Sequence, residues 1–401
     1  MSKVFCFNAD FDLQLGNIYS SKYNKLIDEL SLCAVILSSK DDIVISRCSH
    51  DEEFCKYAGR YNLEIAEKTF EKIPEEADEN NLWLWGYEKN IIHELNLSAG
   101  SFPDPEIVRT FNSRKFSFEI NSKLFETEIS YICRNIEEVD SALEKLKGRP
   151  AVIKPFFGSS AAGFVFKNGD LLNEKEKIKL SEKLQLEESG FVVEKWHNRI
   201  KDFSYGFFIN REGMIEFKNF NLLLNLEKGM FRSVTLLSDF QKAEEYLSNE
   251  AFIQCRNIID YIAKKALEKR YFGYVGIDGY EFRDEEGKNR IRYICEVNAR
   301  NTMSSYLYYL RKRLKLNGLT KLSVVKRNKE KITNYSDLCD KLGRCENNTE
   351  SKEGILLLTP LYYFKDNNKY FTSYMYFLTA ANNIESLNKY SGFLDNFNLT
   401  H

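Results

Sequence analysis

Short apolar runs separated by charged, helix-patterned stretches fill the first 110 positions of the chain. Val4–Phe7, Ala34–Leu37, Ile43–Ser46 and Leu82–Trp85 have the length and β-compatible side chains of buried strands, which predicts an α/β region. The prolines in Phe102-Pro-Asp-Pro105 punctuate its end, because proline disfavours helical backbone in the residue before it. Asn112 and Ser113 are then N-cap candidates for a helix through Phe116–Phe125. Further on, the pattern predicts a strand at Ala151–Lys154, an amphipathic helix over Leu172–Glu188 and a strand at Phe191–Lys195. Phe203–Ile209, Met214–Asn219 and Leu222–Leu226 continue in β pattern, and Glu244–Lys269 reads as a long helix. A hairpin follows, with arms Tyr274–Arg283 and Arg290–Arg300. Asp340–Gly354 is polar and reads as a linker. Apolar strands at Ile355–Phe364 and Tyr370–Thr379 flank an Asp366-Asn-Asn-Lys369 turn. No internal repeat is visible.

Composition narrows the class. In 401 residues, 57 Lys+Arg face 59 Asp+Glu, and 43% of positions are hydrophobic. This is enough apolar material for a substantial core, and it excludes both a disordered tether and a polybasic nucleic-acid binder. No run reaches the roughly 18 apolar residues needed to cross a bilayer. The N-terminus lacks the features of a secretory signal, and the nine cysteines are odd in number with no Cys-x-x-Cys pair. Reduced cysteines in a cytoplasmic protein are the expectation. One local charge excess stands out: nine Lys/Arg against Glu330 alone between Arg311 and Lys331. A solvated face explains it more simply than an anionic partner, and no nucleic-acid motif accompanies it.

Two segments carry candidate chemistry. In the first, the strand ending at Lys154-Pro155 runs into the small-residue loop Gly158–Gly163 and then into a second strand-like run. The absence of Gly-Lys-Ser/Thr excludes a Walker A loop. Small side chains still allow backbone N–H groups to approach phosphate oxygens, and Lys154 supplies charge. A plain hairpin turn is the alternative. In the second, strand alternation puts Glu296, Asn298 and Arg300 on one face, with Tyr293, Cys295, Val297 and Ala299 on the opposite, core-like face. A turn centred on Gly287 would set Asp278 opposite Glu296. Two opposed carboxylates destabilise a sheet unless a cation lies between them. A hard divalent ion held also by the Asn298 amide and phosphate oxygens fits, and Arg300 would neutralise phosphate charge. A solvated polar face with an Arg–Glu pair is the alternative.

Together these motifs resemble the ATP-grasp superfamily over residues 110–315. The resemblance implies two α+β subdomains gripping MgATP, preceded by a Rossmann-like pre-ATP-grasp α/β domain. The organisation it implies is residues 1–110 for that first domain, 111–193 for the lid with the phosphate loop and 194–325 for the metal and substrate subdomain. Residues 326–401 would form a C-terminal extension with a linker and a β-hairpin. Lys154 matches the phosphate-binding lysine, and Gly158, Ser159, Ser160 and Gly163 belong to the mobile loop. Glu194, Lys195 and Trp196 match the hinge for adenine and ribose. Asp278, Glu296 and Asn298 match the Mg²⁺ ligands, for two ions with Mn²⁺ as an alternative. Arg300 matches the arginine of Glu-x-Asn-x-Arg, and Lys115 an earlier α-phosphate lysine, with Arg114 as the rival. The loop has fewer glycines than usual, and Ala299 replaces a common proline.

The activity implied is ATP-dependent ligation of a small-molecule or peptide carboxylate to an amine through an acyl phosphate, with Lys154 and Arg300 as catalytic groups. An ATP-grasp phosphotransferase and a non-catalytic nucleotide-binding protein remain the alternatives. A homodimer is compatible with the resemblance, and neither membrane nor nucleic acid is an expected partner. Arg232 and His197 read more simply as surface or capping residues than as site groups.

Overall fold

The computed structural model describes residues 2–18, 23–74, 77, 81–94, 100–125, 130–146, 148–158, 161, 163–184, 189–226, 229–238, 246–328 and 330–397. In the first region, β1 (Val4–Cys6), β2 (Ile43–Ile45), β4 (Thr69–Phe70) and β5 (Leu82–Leu84) form a parallel sheet in the order β4-β2-β1-β5, while β3 (Ser49–His50) pairs elsewhere. Residues Ala34–Leu37, expected as a strand, lie instead in a 3-10 helix spanning Leu32–Leu37. All six of its residues are buried, and a short run that is apolar on every side satisfies a buried helix as well as a buried strand. Pro105, read as a stop, is the first residue of a helix, Pro105–Asn112, capped by Asp104, whose side chain accepts the Glu106 N–H. Proline is favoured there because its missing donor would be unpaired anyway.

A second sheet, antiparallel, is built from β6 (Ser130–Cys133), β7 (Pro150–Pro155), β8 (Val165–Asn168) and β9 (Phe191–Lys195) in the order β6-β9-β7-β8. It has its own apolar core, with Val139 and Leu143 of the helix Ile136–Lys145 packed against Ile153, Phe191 and Val193. The helix expected over Leu172–Glu188 spans Glu174–Leu184, with positions 185–188 outside the described residues.

The large sheet is antiparallel and eight-stranded. It contains β10 (Asn198–Ile209), β11 (Ile215–Asn225), β12 (Phe231–Ser238), β13 (Gly273–Arg283), β14 (Asn289–Asn298), β15 (Leu319–Lys326), β16 (Gly354–Leu357) and β19 (Tyr374–Ala381) in the order β14-β13-β10-β11-β12-β15-β19-β16. The two runs expected at Met214–Asn219 and Leu222–Leu226 are one strand, β11. Of the segment expected as an extension, β19 pairs with β15 and β16 with β19, so this stretch closes the large sheet. The expected hairpin there is present as β17 (Tyr362–Lys365) and β18 (Asn368–Phe371), and β17 also pairs with β3. Part of the expected linker is helical, since the helix Tyr335–Leu342 runs into it.

The helix Asn249–Lys269 covers this sheet because its apolar residues recur at helical spacing: Ala251, Cys255, Ile258, Ile259, Ile262 and Ala266 are all buried. Ser248 caps it by accepting the Ala251 N–H, and Arg270 closes it in left-handed conformation. The sheets and their preceding parallel α/β domain have the mixed architecture that the ATP-grasp resemblance implied. Among the described residues, no helix is long and apolar enough to cross a membrane.

Candidate nucleotide and metal site

The site gathers where β7, β9, β13 and β14 meet the helix Arg114–Leu124. Asp278 and Glu296 are directly opposed across β13 and β14, as expected. The route to that pairing differs from the regular hairpin. From Tyr280↔Arg292 to Arg283↔Asn289 the strands close around position 286, and a bulge between Asp278 and Tyr280 shifts the register before Asp278↔Glu296. The bulge also overturns one face assignment. Ile294 is fully buried, whereas Cys295 turns toward the site, where its Sγ receives a hydrogen bond from Lys154 Nζ at 3.6 Å.

Burial first, then the neighbouring Glu296 charge, pushes the Asp278 carboxyl up to about 7, with Arg300 and the Asn298 amide opposing. Asn298 Nδ2 donates to Asp278 Oδ2 at 3.2 Å. Glu296 forms an ion pair with Arg114 at 2.8 Å. Among the described residues, no group of three His, Cys, Asp or Glu could hold a metal, so the candidate ligand set is two carboxylates and one amide. Two facing carboxylates, one of them buried and disfavoured as an anion, together with an amide oxygen suit a hard divalent cation.

On the phosphate side, Lys154 is buried at the end of β7 and pairs with Glu194 of β9. Arg292, which the sequence reading passed over, donates to the second Glu194 oxygen at 2.7 Å. Burial opposes ionisation of Glu194, but Arg292 and then Lys154 hold its carboxyl down at about 2. Arg114, at 4% exposure, donates to Pro155 O and Gly158 O, both at 2.8 Å, and its guanidinium lies 5.0 Å from the Phe164 ring centre. Lys183 Nζ donates to Gly163 O at 3.2 Å, and burial, then Lys179 and Arg114, push its ammonium pKa down. The loop ends at Gly158 and Gly163 are thus each held by a cation, and both glycines have positive φ. Ser159 and Ser160 lie outside the described residues.

The other expected positions divide. Lys115 pairs with Glu119 on its own helix at 3.8 Å, so Arg114 takes the position at the site. Ser113 caps that helix and fixes which of the two faces inward. Lys195 Nζ reaches Glu285 in the hairpin turn at 2.6 Å. Trp196 donates its backbone N–H to Pro150 O at 2.8 Å, and its ring lies 4.4 Å from the Arg199 guanidinium. His197, expected at the surface, is half-buried and stacks on Phe282 at 3.9 Å. Burial first, then Arg292 and Lys195, lower its pKa to about 4. Arg232 donates to Val324 O and pairs with Asp395 at 3.7 Å, which engages it with the C-terminal helix.

Arg300 is the largest departure from expectation. Its Nε and Nη2 donate to the two Asp12 oxygens, each at 2.8 Å, and Nη1 donates to Asn301 O at 3.0 Å. This bidentate pair joins the parallel domain to the metal strand. Asn301 adds hydrogen bonds to Trp85 O and Leu84 O. Arg300 therefore reaches Asp278 only through its field.

Solved structures of similar arrangement include N5-carboxyaminoimidazole synthetase from Staphylococcus aureus, at 12% identity and a TM-score of 0.49, covering 98% of this chain and 97% of that one. Carboxyaminoimidazole ribonucleotide synthase from Aspergillus clavatus, complexed with ATP, is similar at 11% identity and a TM-score of 0.48, over 78% of each chain. L-amino acid ligase from Bacillus licheniformis is similar at 14% identity and a TM-score of 0.45, over 77% of this chain and 76% of that one. No family model and no curated protein matches the sequence.

Proposed function

We propose that the chain is an ATP-dependent ligase that activates a carboxylate with MgATP and joins it to an amine. The observation that carries this reading is that Arg114 joins Gly158 at one loop end to Glu296, and Lys154 joins Glu194 to Cys295 of β14 beside the opposed Asp278 and Glu296, while Lys183 holds the other loop end at Gly163. A polyphosphate with a divalent ion would answer both halves of that arrangement, the cations taking its oxygens and the carboxylates the metal. Mg²⁺, held by Asp278, Glu296 and Asn298, would supply neutralisation of phosphate charge. Lys154 and Arg114 would orient the terminal phosphoryl group, with the Gly158–Gly163 loop excluding water. In the overall reaction a carboxylate oxygen takes the γ-phosphoryl group, and its bond to ADP breaks. The amine nitrogen then displaces phosphate, forming the C–N bond and releasing one proton. The choice of ligation over phosphoryl transfer to a stable product rests on the sequence resemblance.

The metal assignment has a direct test. Asp278→Asn combined with Glu296→Gln should lower Mg²⁺-dependent ATP turnover by at least about a hundredfold, the scale seen when charge-stabilising groups are removed. Unchanged turnover would sink it.

A further inference from the structure

A cavity of about 290 Å³ lies at the C-terminal end of the helix Met303–Arg313, away from the residues above. Three cations, Arg313, Lys315 and Lys352, line it together with Tyr61, Asn62 and Asn347. Thr349 and five leucines complete the lining, and no acidic residue contributes to it.

Among the described residues, none of the three pairs directly with a carboxylate, and Asp42 acts on Arg313 only through its field. Arg313 donates from Nη1 to Ser39 Oγ at 2.9 Å and from Nη2 to Glu64 O at 3.1 Å. Its Nε is buried and has no hydrogen-bond partner among the described residues. Burial lowers the guanidinium pKa, and Asp42 opposes this only in part. Lys352 Nζ donates to Lys315 O at 3.4 Å, which sets the second lysine against the backbone of the first. Acids nearby are already engaged. Asp42 accepts the Lys3 and Ser39 N–H groups, Glu346 holds Tyr61 and Arg60, and Glu353 accepts the Asn382 N–H.

A helix C-terminus attracts cations to its free carbonyls. Here the carbonyls of Leu310, Arg311 and Lys312 are already met by the backbone N–H groups of Leu314, Leu316 and Lys315, and Arg311 donates to Leu316 O and Asn317 O just beyond the helix, both at 3.2 Å. Arg313 and Lys315 are in excess of that need. Like charges held together cost free energy that an anion between them relieves. A cavity of this size admits a small molecule and excludes a polymer.

We propose that this cavity binds a compact polyanion, a small metabolite carrying phosphate or several carboxylates. Phosphate and carboxylate are recognised by the same donors here, so the test uses both. Pyrophosphate and citrate would each be titrated calorimetrically into the full chain in chelator-free buffer stripped of metal ions beforehand, with ADP present to fill the site around Lys154. At least one probe should bind saturably. Lys315→Gln with Lys352→Gln should weaken that binding at least about tenfold, the scale of losing charge-assisted contacts, while ADP affinity stays unchanged. Asn347→Asp, which adds an opposing charge without changing shape, should weaken it independently. Absence of binding by both probes, or equal affinity in all variants, would overturn the proposal.

Discussion

Glu194 lies between two buried cations, with Lys154 on one oxygen and Arg292 on the other. Its folded pKa is depressed from 4.5 to about 2. A depressed carboxyl contributes its stabilisation in full above the unfolded value and loses it as pH falls through the folded one. Glu194→Gln leaves two buried positive charges without a counterion and should destabilise the protein by about 3–5 kcal/mol at neutral pH. Between pH 4.5 and about 2, its stability should also fall less steeply than that of the unsubstituted protein. Urea unfolding at stepped pH reads both effects, and parallel pH profiles would contradict the assignment. Lys154 and Glu194 were each legible as strand-end residues, but their pairing depends on register: Val152 stands opposite Glu194, and Lys154 opposite Val192. Arg292 shares its alternation parity with Glu296, a signal present in the sequence but obscured by the intervening bulge. Lys115 and Arg114 differ by about 100° around a helix. Only the position of the Ser113 cap decides between them.

At the level of elements, the β13–β14 hairpin aims the site. Gly279 sits at its register shift, and a Cβ there would lie 2.7 Å from Phe203 Cζ and 2.8 Å from the Arg292 carbonyl oxygen. The carbonyl is backbone and cannot swing aside, so Gly279→Ala should cost about 1–3 kcal/mol by overpacking. It should also weaken Mg²⁺-dependent nucleotide binding, since Asp278 is the adjacent residue. Thermal unfolding and nucleotide titration check the two parts; an unchanged midpoint would show that the bulge has room. The hairpin itself was legible from alternation and its turn, and so was the opposition of 278 and 296. The bulge was not, because two residues of extra chain leave no periodic trace when they restore the same parity. The Leu32–Leu37 helix was hidden for a related reason: a run buried on all sides has no period to read.

For the molecule as a whole, the Asp12–Arg300 pair ties the parallel domain to the metal strand across 288 positions of sequence. Both side chains are mostly buried, Asp12 at 14% and Arg300 at 12% exposure. Asp12→Asn should cost on the order of 2–4 kcal/mol, because it leaves the arginine charge uncompensated. Trp85 lies 5.5 Å from the Arg300 guanidinium, so its fluorescence, isolated by Trp83→Phe and Trp196→Phe, should report loosening at lower urea than the far-ultraviolet signal. Coincident transitions would show that the domains are coupled by other contacts. Many of the strands and helices were readable from hydrophobic pattern and motif, whereas this link was not, since no local rule pairs residue 12 with residue 300. The same limit applies to the end of the chain, where β16 and β19 complete a sheet whose other strands lie far earlier in sequence. The basic run illustrates the converse: its charges are divided among Arg311 at the helix end, Arg313 against the first domain and a buried Arg327 that donates to the Ile332 and Leu361 carbonyls. The central claim, carboxylate–amine ligation at the Lys154 and Asp278 site, is tested most directly by incubating the protein with MgATP and pooled amino acids and peptides while recording ADP, phosphate and product mass. The account predicts one ADP and one phosphate per new species, whose mass is the sum of two substrates less water. A stable phosphorylated product with no amine consumed would contradict it.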